Sequence, residues 1–368
     1  MKTWIYSWIV YPLIFSIAYV ISIFHPKTRA TLGLRSWKIF LSLRFNVGDA
    51  IEYWIHVASQ GELEYAIPIL EELRKNNKKA LVTYYSISAK DAVEKLPQSF
   101  SNVSLVVPLP HDGLGLMKEF VRLLKTQGVK YLLLMKYELW PGLLWECNTN
   151  QVNVMLVNAL KPSWFHSKLI HKLYAILSGY SSEIDGIEHD KKIVVGDTRV
   201  QRVLQRVERS QLHLQYPNLF KLFDKKNTIV MGSMWPDDSN ATIAAFARYS
   251  SQINVIWIPH ELNENEVKKR EKAFSDIGFN SLILENDSQL TSSSFQNSKR
   301  NIIFINKKGF LSEIYKMGKL AYVGGGFGKC VHSVWEPVIN HCYVSSGPHI
   351  DRSPEAKELM GAGLLNII

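Results

Sequence analysis

The segment that decides the fold is an apolar strand that runs into consecutive glycines, Val323-Gly324-Gly325-Gly326-Phe327-Gly328-Lys329. A helix is predicted to begin shortly afterwards, near Trp335, with Glu336 in its first turn. Glycines let a backbone approach a ligand closely, and the free amides at a helix start attract anions. A carboxylate at the same place can accept hydrogen bonds from ribose hydroxyls. The pattern predicts one half of a nucleotide-sugar site, and a tight turn in an ordinary α/β domain is the alternative.

A second segment far upstream has a related pattern, an apolar strand followed by Ala58-Ser59-Gln60-Gly61-Glu62. Gly61 permits a sharp turn from strand to helix, which puts Glu62 at or near a helix start. A carboxylate there is either a cap, contributing about 0.3–1 kcal/mol, or a general base at the carboxyl edge of a parallel sheet. The helix dipole is expected to lower the pKa of Glu62 and keep it ionised. Both roles remain open from these residues.

Length and composition indicate an intracellular globular protein of two domains. The chain has 368 residues, of which 46% are hydrophobic and 21% are charged, and this composition supplies a large core. Its three cysteines are odd in number and form no C-x-x-C pair. We therefore expect no disulfide framework, no zinc site and a reducing compartment. No metal and no cofactor are predicted.

The net charge of +10 calls for an anionic partner. A nucleic-acid protein of this charge is expected to carry interleaved arginines and aromatics or a recognised binding signature, and neither is found. Nucleic acid is therefore not predicted as a partner. An anionic membrane surface or a phosphorylated substrate fits the charge better.

The N-terminal residues predict a membrane anchor. Residues 4–24 carry no charge, and a helix of that length just spans a hydrocarbon core of about 30 Å. Aromatic side chains suited to the interface lie at its start, namely Trp4, Tyr6, Trp8 and Tyr11. Basic residues follow before any acid, namely Lys27, Arg29, Arg35, Lys38 and Arg44. The positive-inside rule then places the rest of the chain in the cytoplasm.

We predict an uncleaved anchor over residues 1–25, spanning or monotopic, and a basic juxtamembrane segment over 26–48. The region after the apolar run offers no clear small-x-small cleavage site, which disfavours a cleaved signal peptide. A buried core helix is the remaining alternative. The predicted location is the inner membrane, with the catalytic domains facing the cytoplasm.

Beyond the anchor, apolar strand patterns alternate with helical patterns, and this alternation predicts parallel sheets with right-handed crossovers. Strands are predicted at residues 53–57, 80–84, 103–107, 131–135, 152–157 and 192–195, and helices at 116–126 and 167–178. After the polar segment 210–227 the strands resume at 228–231, 254–258, 281–284, 301–305, 320–323 and 342–344. The predicted domains are therefore 49–209 and 228–368, joined by a linker at 210–227.

Polar segments follow the strands of both halves, and the whole arrangement resembles the lipid A Kdo transferases. These enzymes add 3-deoxy-D-manno-octulosonic acid (Kdo) from CMP-Kdo to a lipid A precursor. The resemblance covers essentially the whole chain, with the motifs in the family's order. It rests on the anchor and on these segments: residues 55–62, Tyr137-Glu138-Leu139-Trp140-Pro141, Val157-Asn158-Ala159, Val195-Gly196-Asp197-Thr198-Arg199 and residues 322–337. It implies a GT-B architecture, in which two Rossmann-like domains face a cleft, with acceptor bound by the first and nucleotide by the second.

The resemblance also implies a metal-independent, inverting transfer and assigns roles to residues. Glu62 matches the family's general base, and Arg199 matches a basic residue that stabilises the transition state as a phosphate leaves. Lys136 stands at a third catalytic position, held to assist the transition state. The substrate-binding positions carried over are Ser59, Gly61, Glu138, Asn158, Ser233, Pro259, His260, Lys308, Gly309, Phe310, Gly325, Gly326, Ser333, Val334, Trp335 and Glu336.

This chain departs from the family pattern at several of these positions. Lys136 replaces an acid, His260 replaces an arginine, and Ser333 replaces an asparagine. Family members normally continue through further C-terminal helices, so the second domain is expected to be incomplete at its C-terminal end. These departures leave two alternatives to Kdo transfer. One is a non-catalytic homologue that binds lipid A or nucleotide, and the other is a GT-B transferase that uses another activated sugar.

Overall fold

The computed structural model describes residues 5–33, 50–113, 115–136, 138–161, 163, 167–249, 251–291, 295, 298–328 and 330–368. The chain forms two compact units, Met1–Arg202 and Val203–Ile368. Each unit contains a seven-stranded sheet in which every described strand pair is parallel. The alternation of strand and helix patterns in the sequence therefore predicts the fold class correctly.

The sheet of the first unit consists of β1 to β7, which cover Tyr53–Val57, Ala80–Tyr84, Val103–Pro108, Tyr131–Met135, Asn153–Val157, Ala175–Ser178 and Lys192–Val194. Their order across the sheet is β3-β2-β1-β4-β5-β6-β7, and Tyr53 of β1 lies opposite both Ala80 and Tyr131. The order reverses between β1 and β4. Open α/β sheets bind ligands outside the carboxyl ends of the strands at such a reversal. Glu62 follows β1, and Lys136 follows β4.

The sheet of the second unit consists of β8 to β14, which cover Thr228–Met234, Ile253–Pro259, Asn280–Ile283, Arg300–Phe304, Leu320–Val323, Tyr343–Ser346 and Leu365–Ile367. Their order is β10-β11-β9-β8-β12-β13-β14, so the reversal falls between β8 and β12. The register of β8 against β9 shifts between Met231 and Met234, and Ser233 within this shift has φ +54°. The glycine-rich turn follows β12.

The helices of the first unit are α1 to α8, which cover Tyr11–Phe24, Pro26–Gly33, Gln60–Lys75, Ile87–Val93, Leu96–Ser99, Leu116–Thr126, Pro141–Thr149 and Ser181–Ile184. Helix α9, Thr198–Arg209, begins in the first unit and ends in the second. The helices of the second unit are α10 to α16, which cover Leu212–Gln215, Pro217–Leu222, Pro236–Ala247, Glu264–Asp276, Leu311–Ile314, Trp335–Ile339 and Pro354–Gly361. One-turn 3-10 helices cover Ile170–Lys172, Lys225–Asn227, Asp287–Gln289 and Tyr315–Met317, and a π-helical turn, Tyr6–Val10, precedes α1.

Helix α3 shows how apolar spacing positions the candidate site. Ser59 caps its N-terminus, and Leu63, Ala66 and Leu70 recur at helical spacing and are buried against the first sheet. Burial of a large aliphatic side chain contributes roughly 1.5–3 kcal/mol, so this face fixes the helix on the sheet. Pro68 lies inside this helix, which is continuous from Gln60 to Lys75.

Three details differ from the sequence analysis. The helix predicted over residues 167–178 is wrong, because strand β6, Ala175–Ser178, pairs between β5 and β7. Its apolar run is too short to show whether it is helix or strand by periodicity alone. The segment 210–227, predicted as a linker, contains α10 and α11, and its Leu212 and Leu219 are buried in the core of the second unit. The two units divide earlier in the chain, after Arg202.

The N-terminal apolar run forms one continuous helical stretch. Tyr6–Phe24 covers 19 residues with a mean hydropathy of 1.9, and its length and composition are sufficient to cross a membrane. Helix α2 follows it and contains Lys27 and Arg29. The other basic residues of the predicted juxtamembrane segment, and Trp4, lie outside the described residues.

Candidate active site

Glu62 lies in the first turn of α3, directly after β1. Its backbone N–H donates to Ser59 Oγ at 3.4 Å, and its carboxylate Oε2 accepts from the Ala58 N–H at 2.6 Å. The capping role left open by the sequence is therefore present in the structure. In the described part of the chain, Oε2 is the carboxylate oxygen that has a hydrogen-bond partner.

The ionisation of Glu62 differs from the expectation. Burial raises the pKa of the Glu62 carboxyl to about 7, and the charge of Glu138 adds to this rise. The Ala58 hydrogen bond and the charge of Lys136 act in the opposite direction. The sequence analysis expected the helix dipole to lower this pKa, and that expectation is wrong because desolvation of the buried carboxylate dominates. A carboxyl group with this pKa can both accept and release a proton near neutral pH.

Lys136 and Arg199 lie over the same aromatic ring. The Lys136 Nζ is 4.6 Å from the centroid of the Tyr65 ring, and the Arg199 Cζ is 4.7 Å from it. Tyr65 is three residues after Glu62 on the same face of α3, so one helix turn brings the acid and both cations together. The pKa of Lys136 is lowered by burial and by Arg199, while Glu62 and Asp197 oppose this shift. Lys136 has φ +62°, a backbone conformation that is uncommon for lysine.

Arg199 is held in place by Asp197. Its Nη2 donates to Asp197 Oδ2 at 2.6 Å, and its Nε contacts both carboxylate oxygens at 3.1 and 3.2 Å. Tyr180 donates its hydroxyl to the same carboxylate at 2.8 Å. The guanidinium therefore has a fixed orientation at the start of α9, which preorganises its positive charge.

Two further candidates complete the group in the first unit. Glu138 is mostly buried; its Oε2 accepts from Trp140 Nε1 at 2.9 Å, and burial raises the pKa of its carboxyl. Asn158, with φ +49°, donates from Nδ2 to Thr198 Oγ1 at 2.7 Å. Its buried Oδ1 atom has no hydrogen-bond partner among the residues that the structure describes. This oxygen is an acceptor that a bound molecule can satisfy.

The glycine-rich turn of the second unit is organised by one buried carboxylate. Asp238 accepts hydrogen bonds from Gly325 N–H at 2.7 Å, Tyr322 hydroxyl at 2.7 Å and Phe327 N–H at 3.3 Å. Gly325 has φ +97°, and a Cβ there would lie 2.2 Å from the Cys330 carbonyl oxygen. These glycines therefore do form the tight turn that the sequence offered as an alternative, and this does not exclude contact with a ligand.

Next to this turn, three aromatic rings form a stack. The His260 and His332 ring centroids are 3.9 Å apart, and the Trp235 ring lies 4.7 Å from that of His260. Trp235 Nε1 donates to His332 Nε2 at 2.7 Å. Burial lowers the pKa of His260, and burial together with His260 lowers the pKa of His332 to about 4. Both imidazoles are therefore uncharged at neutral pH, so His260 cannot supply the permanent charge of an arginine.

The remaining second-unit candidates lie on several separate elements. Glu336 is in the first turn of α15, as predicted, and its Oε1 lies 4.0 Å from Arg206 Nη1. Trp335 and Ser333 are half-buried, whereas Val334 is buried. Pro259 ends β9. The loop before α14 exposes Lys308 and Gly309 but buries Phe310, whose ring packs edge-on against Tyr216.

Sequence reasoning missed four residues that organise these groups, Tyr65, Asp238, Trp235 and His332. Only Tyr65 had a local signal, its one-turn separation from Glu62. Asp238 is 87 residues before Gly325, and no local pattern connects the two. No group of three His, Cys, Asp or Glu side chains able to hold a metal ion is found within the described ranges.

Comparison with known proteins finds similarity to one family of transferases. Residues 29–175 match the family described as 3-deoxy-D-manno-octulosonic-acid transferase (kdotransferase). The 3-deoxy-D-manno-octulosonic acid transferase of Aquifex aeolicus (strain VF5) is 26% identical over 321 residues, which cover 84% of this chain and 80% of the relative. That of Chlamydia trachomatis serovar D is 25% identical over 342 residues, covering 86% and 74%. Over most of its length, this chain is therefore similar to Kdo transferases. Kdo transferases are glycosyltransferases.

Solved structures support the same architecture at the level of the fold. A UDP-N-acetylglucosamine 2-epimerase superposes with a TM-score of 0.56 at 12% identity, covering 87% of this chain and 83% of the other. Acinetobacter baumannii MurG superposes with a TM-score of 0.55 at 9% identity, covering 86% and 85%. The two parallel sheets and their helices thus have a GT-B-like fold. Of the residues carried over in the first unit, Lys136 and Arg199 lie over the Tyr65 ring, one helix turn from Glu62.

Proposed function

We propose that the chain transfers Kdo from CMP-Kdo to a lipid A precursor, with inversion at the anomeric carbon and with Glu62 as general base. The observation that carries this proposal is the Glu62 carboxyl, whose pKa of about 7 suits proton transfer near neutral pH. Its place at the reversal between β1 and β4, where α/β sheets bind ligands, supports the assignment. The similarity to Kdo transferases suggests the substrate class.

In the proposed reaction Glu62 takes the proton from a glucosamine hydroxyl of the acceptor. The hydroxyl oxygen forms a bond to the anomeric carbon of Kdo as the bond from that carbon to the CMP phosphate breaks. CMP leaves with the electron pair, and a single displacement inverts the anomeric centre. Because Oε2 already accepts from Ala58, Oε1 is the oxygen assigned to the proton. No metal is invoked in this scheme.

The two cations beside Glu62 have different proposed roles. Arg199, whose charge is permanent and whose orientation Asp197 fixes, stabilises negative charge in the transition state. Lys136 replaces the family's acid and keeps part of the Glu62 population ionised, because its positive charge favours the carboxylate. Asn158 Oδ1 and Glu138 are proposed acceptors for sugar hydroxyls of the acceptor.

The second unit is proposed to bind CMP-Kdo. Glu336 accepts from the cytidine ribose, and the neighbouring positions Ser333, Val334 and Trp335 shape the approach to it. Further proposed nucleotide contacts come from Ser233, Pro259, His260, Lys308, Gly309, Phe310, Gly325 and Gly326. The glycine turn suits this role through its fixed shape. Gly325 packs against the backbone of Cys330 and Gly326 against that of Gly347, and Asp238 holds the turn through hydrogen bonds.

Glu62→Gln tests the assigned base. Glutamine keeps an oxygen acceptor for the Ala58 N–H but cannot take a proton, so transfer from labelled CMP-Kdo to a lipid A precursor should fall by about 10²–10⁴-fold. Glu64→Gln is the matched control on the same helix, since it loses an ion pair with Arg202 and should leave transfer within a few-fold. If Glu62→Gln transfers Kdo as fast as the control, Glu62 is only a cap.

A non-catalytic binding protein is the second candidate, and Lys136 and the neutral His260 favour it. Under this alternative the unchanged chain binds CMP but shows no turnover, and Lys136→Glu, which restores the family's acid, gives measurable transfer. Under our proposal the unchanged chain is active. Competition by CMP, but not by UDP or GDP, separates both from a transferase that uses another activated sugar.

A further inference from the structure

The N-terminal helix is attached to the first unit along its first half. Tyr6 donates its hydroxyl to Asp112 Oδ2 at 2.8 Å in a buried contact, and the Tyr11 hydroxyl lies 2.8 Å from His111 Nδ1. The Phe15 ring stacks edge-on against the His111 ring with centroids 4.7 Å apart. These contacts hold the first half of the helix against the loop that follows β3.

This attachment is built into the packing of the unit. A Cβ on Gly113 would lie 2.6 Å from the Tyr11 ring, so the helix passes directly over this glycine. Asp112 also accepts from the N–H groups of Gly142 and Leu143 at 2.8 and 2.6 Å, and it thereby caps α7. Removing the helix would therefore uncover a buried carboxylate that the unit uses elsewhere.

The far end of the helix also returns to the first unit. After Phe24 the chain turns, and Arg29 of α2 donates to the Ile23 and Ser22 carbonyls at 2.6 and 3.1 Å. Further along α2, Thr31 Oγ1 accepts from the Ile87 N–H at 3.4 Å, at the start of α4. Residues 6–33 are thus a helical hairpin with contacts to the unit at both of its ends.

The lengths show how deep this hairpin can reach. The 19 residues of Tyr6–Phe24 would extend about 28 Å if all stood upright, nearly the hydrocarbon thickness of about 30 Å. However, Phe15 still contacts the unit, and the nine residues beyond it add only about 14 Å. That is about half a bilayer. The large hydrophobic side chains exposed along these nine residues are Ile17, Tyr19, Val20, Ile21, Ile23 and Phe24.

We infer that residues 6–33 form a re-entrant, monotopic anchor that enters a single lipid leaflet and has both ends on the side of the first unit. Its partner is the acyl region of one leaflet with anionic headgroups, because exposed apolar side chains lie next to Lys27 and Arg29 on a chain of net charge +10. The inference rests on the contacts of the hairpin and does not depend on the proposed function.

Membrane topology gives the first test. The full chain carries a different epitope at each end, and protease is added to inverted and to right-side-out inner-membrane vesicles. Both epitopes should be cleaved in inverted vesicles and both protected in right-side-out vesicles. Cleavage of the two epitopes on opposite faces would mean a single span and would overturn the inference. Recovery of the chain only in the soluble fraction would overturn it as well.

Vesicle binding gives the second test and identifies the surface. With vesicles of phosphatidylethanolamine and phosphatidylglycerol, the double variant Ile17→Asp and Ile21→Asp should bind at least tenfold more weakly than the unchanged chain. Leu204→Asp, an exposed leucine of α9, is the matched control and should bind normally. Equal binding by the double variant would refute a lipid-facing role. A stable dimer of the unchanged chain that buries this face and binds no vesicles would refute it too.

Discussion

The two units reverse their strand order in the same way, but different kinds of groups lie at the two reversals. In the first unit, ionisable side chains gather around Tyr65. Burial displaces the pKa values of Glu62 and Lys136, and the opposite charges of the two groups partly counteract that displacement. In the second unit, a glycine backbone is held by Asp238 beside an uncharged aromatic stack. A proton-transfer site needs groups that titrate near neutral pH, whereas a binding site for a fixed ligand needs constant shape. The contrast supports assigning chemistry to the first unit and donor binding to the second.

The largest expected effect concerns the shape of the second site. Asp238→Ala should lower the free energy of unfolding by about 4 kcal/mol, because it leaves the Gly325 N–H and the Tyr322 hydroxyl buried without an acceptor. Urea denaturation of the full chain, followed by fluorescence, measures this loss. Asp237→Ala, at an exposed position of the same helix turn, should change it by less than about 0.5 kcal/mol. Equal effects of the two variants would mean that Asp238 does not organise the turn.

A change at Lys136 tests the chemistry of the first site. The base must be ionised to act, so transfer should rise as pH increases through the pKa of Glu62, about 7. Lys136→Met removes a charge that lowers this pKa, so the acidic limb of the pH profile should move to higher pH. At pH 6 the rate should fall by about tenfold, and at pH 8.5 by much less.

Lys136→Arg is the matched control for this profile, because it keeps the positive charge. Its acidic limb should stay close to that of the unchanged chain, even if the absolute rate falls. An unchanged limb in Lys136→Met would show that Lys136 does not act on the ionisation of Glu62.

Both sheets were predictable from the sequence because their strands are local apolar runs with clear boundaries. Residues 53–57, 80–84, 131–135 and 320–323 have the predicted limits. Strand β6 was missed because its hydrogen bonds are made to β5 and β7, which periodicity within a short window does not reveal. The first-unit cluster was predicted from motifs, since each of its charged members directly follows a strand.

The ionisation state of the site was not predictable in the same way. Helix position alone suggests a lowered pKa for Glu62, but burial by residues distant in sequence raises it. Likewise, burial lowers the pKa of His260, which lies in a stack with Trp235 and His332, two residues far apart along the chain. A pKa is a property of the folded environment, and a motif specifies only the residue type.

A smaller effect is expected at His260, where the second site lacks the family's arginine. His260→Arg adds a permanent charge whose planar group can still stack on Trp235. We expect CMP to bind about three- to tenfold more tightly, with a stronger dependence on salt, as measured by calorimetry. The affinity for uncharged cytidine should change little. If CMP affinity does not change, His260 does not face the nucleotide phosphate, and the donor assignment must move elsewhere.

The smallest effect is expected at Glu138, which acts on Glu62 with the opposite sign to Lys136. The negative charge of Glu138 raises the pKa of Glu62, so Glu138→Gln should move the acidic limb to lower pH and increase transfer at pH 6 by a few-fold. Glutamine keeps an oxygen that can accept from Trp140 Nε1. Opposite displacements of the limb in Glu138→Gln and Lys136→Met would identify Glu62 as the titrating group. Displacements of the same sign would exclude Glu62, because removing a positive neighbour and removing a negative neighbour shift the pKa of one carboxyl in opposite directions.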